Sequence, residues 1–99
     1  MKKFKVGDII FHHRYRYRGV IFACDSEFKG DDDWYYSNRT QPEREQPWYH
    51  VLVDDARHTT YVAQENLEQD DSGEPVEHPL LEKIFSAFHD GRYYNHSFN

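Results

Sequence analysis

Trp48-Tyr49-His50-Val51-Leu52-Val53-Asp54-Asp55-Ala56-Arg57-His58-Thr59-Thr60-Tyr61-Val62-Ala63 reads as a β-hairpin, and the rest of the chain is arranged around it. Aromatic and β-branched residues fill Trp48 to Val53, the polar run Asp54 to Arg57 turns the chain, and His58 to Ala63 returns antiparallel. Pro47 introduces the first strand, and Gln64-Glu65-Asn66-Leu67 predicts a single helical turn that plugs the end of the β-layer with Leu67.

Upstream, the Gly7-Asp8 pair turns the chain into an apolar first strand, Ile9 to His13. A second strand, Val20 to Asp25, is apolar enough to be covered on both faces, with Gly19 as a bulge or bend at its entry. Asp31-Asp32-Asp33 before Trp34-Tyr35-Tyr36 supplies a cap and an acidic first turn for a short helix. The stretch from Asn38 to Pro47 has no apolar residue except its prolines and reads as a loop.

Downstream, residues 69–77 read as an acidic linker. Pro79 then opens a predicted helix whose stripe Leu81, Ile84, Phe85 and Phe88, joined by Leu80, packs on the side of the β-layer, with Gly91 as its stop. The expected organisation is one mainly β domain over residues 1–99: a β-body at about 4–68, the linker, and a helix and aromatic tail at about 78–99. No internal repeat is present.

The composition supports a compact body. Hydrophobic residues make up 37% of the 99, and 17 of those are aromatic, so large rings rather than aliphatic padding must build the core. The single cysteine, Cys24, has no internal partner; its flank Val20-Ile21-Phe22-Ala23 makes it a small buried hydrophobe rather than a reactive thiol. No apolar run approaches the roughly 18 residues of a membrane span, and the N-terminus lacks the apolar segment of a signal peptide. A cytoplasmic setting without membrane contact is the expectation.

Charge is uneven within the net −6. Residues 1–18 carry Lys2, Lys3, Lys5, Arg14, Arg16 and Arg18 against Asp8 alone, a balance of +5, while the other 81 residues carry −11. An acidic body repels nucleic acid, although a clustered basic patch can still meet phosphates. In the run His12-His13-Arg14-Tyr15-Arg16-Tyr17-Arg18, an extended backbone would align the three arginines on one face and Tyr15 and Tyr17 on the other. The arginines would then grip phosphates or a carboxylate-rich partner, or else neutralise acids of this chain such as Asp31-Asp32-Asp33 or Asp70-Asp71. Trp48 and Tyr49 point to opposite faces, one into the core and the other toward a groove.

No ligand set appears at recognised metal spacing, no phosphate loop is present, and no nucleophile sits beside a base; no catalytic residue, metal or cofactor is expected. His50 and His58 could meet across the hairpin, but two packed histidines are the simpler reading. The residues singled out for binding a protein or DNA are His13, Arg14, Arg16, Arg18, Trp48, Tyr49 and His50.

The series Phe4-x-Val6-Gly7-Asp8-x-Ile10, Tyr17-Arg18-Gly19-Val20-Ile21, Pro47-Trp48-Tyr49-His50-Val51-Leu52-Val53-Asp54-Asp55 and Tyr61-Val62-Ala63-Gln64-Glu65-Asn66-Leu67 resembles the YccV-like family. The resemblance implies an SH3-like β-barrel, here with the C-terminal helix packed on it. It also implies a binding role. Members include heat-shock protein Q, linked both to hemimethylated DNA and to the Lon protease as a specificity factor, plastid adaptors of the Clp protease, and the C-terminal end of one F-box protein family. Two functions therefore stand: a protein-binding adaptor whose partner is an ATP-dependent protease or its substrate, favoured by the acidic body, and a module recognising hemimethylated DNA through residues 1–18. A homo-oligomer is open under either.

Overall fold

A computed structural model describes residues 1–95. Among the described residues seven strands and two short helices form in chain order: β1 Ile9–His12, β2 Tyr17–Asp25, α1 Asp32–Ser37, β3 Trp48–Val53, β4 Thr59–Ala63, β5 Leu67–Gln69, α2 Leu81–Ile84, β6 Phe85–His89 and β7 Arg92–Asn95. A 3-10 turn, Gln64–Asn66, joins β4 to β5, as the sequence predicts. The chain is mainly β. Five strands make one antiparallel sheet in the order β4-β3-β2-β1-β5, and β6 and β7 make a separate hairpin.

Among the described residues the five-stranded sheet is open: β4 pairs only with β3 and β5 only with β1, so hydrogen bonding does not close it into the expected barrel. Alternation divides its apolar side chains. Ile10, Ile21, Tyr49, Val51, Val62 and Leu67 pack on one side, with Phe4 against them. Ile9, Val20 and Leu52 pack on the other, covered by Val76, Phe85 and Tyr93. Gly19 is not the bulge; the register shift falls between Ile21 and Ala23. Gly19 instead lets β2 approach β3, because a Cβ there would meet the Leu52 carbonyl oxygen at 2.6 Å.

The C-terminal helix is corrected. Only Leu81–Ile84 is helical, and the chain then runs extended through a β-hairpin. Asp90 and Gly91 sit at φ 53° and 73°, the conformation of a two-residue hairpin turn that Asp-Gly favours and a helix forbids. Phe85 and Tyr93 are buried, whereas Phe88, expected to pack as part of the stripe, is 38% exposed. The hairpin docks through an Arg92–Asp8 ion pair and the Tyr93 N–H donating to the Gly7 carbonyl at 2.9 Å. The aromatic tail expected over 92–99 is thus strand through Asn95; residues 96–99 lie outside the described residues.

The acidic stretch 69–77 is a packed strap rather than a linker. Val76 is buried, and its N–H and carbonyl both bond the Tyr93 hydroxyl, at 2.9 and 3.2 Å. Glu77 N–H donates to Asp54 Oδ1 at 2.8 Å. Arg18 holds the strap's other end.

Candidate functional site

A cleft of about 450 Å³ runs along β4. All five residues of that strand line it. One wall is α1 and the loop after it, with Trp34, Tyr35, Asn38 and Pro42; the other is the β1–β2 turn, with His12, Tyr15 and Tyr17.

The first wall is an aromatic cluster assembled locally. Asp31 caps α1 by accepting from Trp34 N–H at 2.8 Å, which presents Trp34 at 39% exposure. Arg44 ties the 38–47 loop back: its guanidinium lies 4.1 Å from the Tyr35 ring centroid and pairs with Asp32 at 2.9 Å. Trp48 is 2% exposed, packs on Phe28 and Tyr61 at 5.0 and 5.2 Å, and donates its indole N–H to the Glu43 carbonyl. Ring separations of 5.0 to 6.3 Å among Phe28, Trp34, Trp48 and Tyr61 are mutual contacts, so the cluster has no gap for a trimethylammonium group and works as a wall.

Asp25 sits beneath this wall and accepts from the Tyr61 hydroxyl at 2.6 Å, with His50 Nε2 at 3.3 Å. Burial, then the bond to Asp25, holds the Tyr61 phenol well above the usual tyrosine range, so Tyr61 stays a neutral donor.

The second wall turns on His12. Its Nδ1 accepts the N–H groups of Arg14 and Tyr15 at 3.2 and 3.0 Å, and its ring stacks on Tyr17 and lies tilted against Tyr15. Nδ1 must be unprotonated to accept, and burial, then His13, lowers the His12 pKa to about 4. The unfolded chain therefore binds the proton first. Stability from this group is fully present above pH 6.5 and is lost as pH falls toward 4, a drop on the order of 3 kcal/mol. Denaturant unfolding at pH 7 and pH 4.5 should show it, and His12→Gln should flatten that part of the profile; an unchanged profile in the variant would refute the assignment.

The sequence-predicted residues part company here. Arg14, Arg16 and Arg18 do not share a face, because residues 13–16 form a turn with Arg16 at φ 62°. His13 is exposed and donates through Nε2 to the Glu65 carbonyl at 2.8 Å. Arg14 and Arg16 are exposed, lying over the rings of Tyr15 and Phe11. Arg18 points the other way and pairs with Asp54 at 2.9 Å and Asp70 at 3.2 Å, and also donates to the Glu74 carbonyl at 2.6 Å. Trp48 and His50 reach the cleft; Tyr49 faces the core, its hydroxyl donating to Gln64 at 2.6 Å. His50 stands opposite Tyr61, not His58, and among the described residues no group of three His, Cys, Asp or Glu side chains is placed to hold a metal ion.

Trp34 and Tyr61, and from the basic and aromatic run His12, Tyr15 and Tyr17, line the cleft although the sequence reading does not place them among the binding residues. The partner of His50 was readable, since a four-residue turn at Asp54 to Arg57 sets Val53 opposite His58 and hence His50 opposite Tyr61. Nothing local brings Trp34 to Trp48. Cys24 is half-buried, and burial pushes its thiol pKa up, away from reactivity.

A small open sheet with an aromatic cleft along one edge defines a binding module. The chain belongs to the YccV-like family, described as hemimethylated DNA-binding protein YccV like, which matches residues 2–92. It is similar to F-box only protein 21 of Homo sapiens and of Pongo abelii, each 33% identical over 88 residues, and to that of Mus musculus at 32%. Those matches take in 86% of this chain and 14% of each relative, so the chain spans about one seventh of their length. No solved structure matches it. Among the described residues no helix is long and apolar enough to cross a membrane.

Proposed function

We propose that this domain is a non-catalytic polypeptide-binding module, of the adaptor kind that presents a chain to an ATP-dependent protease. The carrying observation is the aromatic cleft laid along the outermost strand β4, which supports an extended segment as ligand. The net charge of −6 favours a protein ligand over a polyanion. The protease role is supported by the resemblance to a family whose members include heat-shock protein Q and plastid Clp adaptors. The 3-10 turn between β4 and β5 and the return of β5 onto β1 support an SH3-like reading of the open sheet.

Hemimethylated DNA is the second reading, favoured by the family description and by the exposed turn that carries Arg14 and Arg16. Titrating the domain with unstructured peptides and with hemimethylated duplex at several salt concentrations separates the two. Peptide binding with little salt dependence, and weak duplex binding near physiological salt, is expected. Submicromolar methylation-dependent duplex binding, with a log–log salt slope about 2 units shallower in Arg14→Ala/Arg16→Ala, would overturn the adaptor reading.

A further inference from the structure

We infer that the ligand of the cleft adds a strand to the free edge of β4, through the main chain of Thr59 and Tyr61. This rests on the polypeptide reading above and specifies how that polypeptide is held.

Register and alternation settle which backbone groups of β4 are free. Val53 N–H donates to the His58 carbonyl at 3.4 Å, and Gln64 N–H donates to the Pro47 carbonyl at 2.9 Å. These bonds bracket the pairing of Trp48 with Ala63 through Leu52 with Thr59. In an antiparallel ladder every second pair is hydrogen-bonded, so Val62 and Thr60 point their N–H and carbonyl groups at Tyr49 and Val51. Thr59 and Tyr61 point theirs away from β3. β4 is the outermost strand, so there they meet the cleft. No hydrogen bond outside the ladder engages those four groups among the described residues. Ala63 leads into the 3-10 turn and ends the row.

An unpaired strand edge of this kind is complementary to one chemistry, the alternating donors and acceptors of another extended backbone. The walls state what the side chains should be. An added strand directs alternate residues to opposite sides, one set toward Trp34 and Tyr61 and the other toward Tyr15 and Tyr17. The ligand is therefore an extended segment with apolar or aromatic residues at alternate positions, which a folded protein conceals and an unfolding one exposes. A nucleic-acid duplex offers no peptide backbone to this edge.

The probes are octapeptides alternating Phe, Leu or Val with Thr, followed by fluorescence of the intact domain. For each peptide that binds, two N-methylated versions are compared, one blocked at the odd amides and the other at the even amides. N-methylation leaves the side chains in place and touches only the peptide, so the fold of the domain is not perturbed. One version should weaken binding by about tenfold or more, as loss of the amides facing β4 requires, and the other should bind nearly unchanged. Thr59→Pro removes an outward donor that β3 does not use and should reproduce the loss in the folded domain.

Equal effects of both methylated versions, with unmodified peptides still binding, would overturn strand addition while leaving a polypeptide ligand standing. Failure of all the octapeptides to bind would overturn both. Dimerisation of the domain that Thr59→Pro abolishes would replace the peptide by a second copy, and displacement of bound peptide by duplex DNA would replace it by nucleic acid.

Discussion

Trp48→Ala lowers the unfolding free energy by about 3–5 kcal/mol and abolishes binding in the cleft. Trp48 is 2% exposed, contacts Phe28, Trp34 and Tyr61, and anchors the loop through its bond to the Glu43 carbonyl. Truncation opens a cavity under α1 that backbone relaxation cannot fill, because β3 is paired on both sides. For a domain of this size the melting temperature falls on the order of 15 °C or more. Trp48→Phe keeps most of the ring contact and loses the indole hydrogen bond, so it should cost only about 1–2 kcal/mol. Denaturant titration of both variants checks this. Equal stability of Trp48→Ala and wild type would show that the wall is not packed as described.

The second large effect separates the arginines. Arg18→Ala should destabilise the domain by about 2–4 kcal/mol, because it strands Asp54 and Asp70, which are only 23% and 10% exposed, and frees the strap from Glu74 to Val76. Arg14→Ala and Arg16→Ala, on the exposed turn, should each change stability by about 0.5 kcal/mol or less. Thermal unfolding of the three single variants decides it: similar effects at all three positions would contradict the pairing of Arg18 within the chain. The consequence for function is direct. A triple alanine variant confounds a DNA test with loss of fold, whereas the Arg14 and Arg16 pair tests phosphate contact alone.

Several elements were legible because their causes are local. The hairpin at Trp48 to Ala63, the Asp31 cap of α1 and the turn at Gln64 to Asn66 follow from β-propensity, an acceptor side chain at a helix start and a short polar break. The C-terminal segment shows two local signals in competition. Leu81, Ile84, Phe85 and Phe88 fit a helical stripe, but Asp90-Gly91 between aromatic runs is also a hairpin signal. Burial of Phe85 and Tyr93 against Ile9, Val20 and Leu52 decides for the hairpin.

By itself, the sequence determined that this chain is mainly β, that its balance outside the first 18 residues is acidic, and the family it resembles. These depend on residue type and short-range spacing. The expected core of rings is corrected, because 11 of the 16 buried apolar residues among those described are aliphatic, while Tyr15, Trp34, Tyr36, Phe88 and Tyr94 are exposed. Only the tertiary structure decided which of three similar arginines is structural, that the acidic stretch is a strap, and that Trp34, Tyr61 and Tyr15 flank an open strand edge. The physical reason is range: Arg18 meets Asp70, and Tyr17 meets Thr60, across 52 and 43 residues of chain. Such meetings depend on how the sheet folds, which no local pattern of residues encodes.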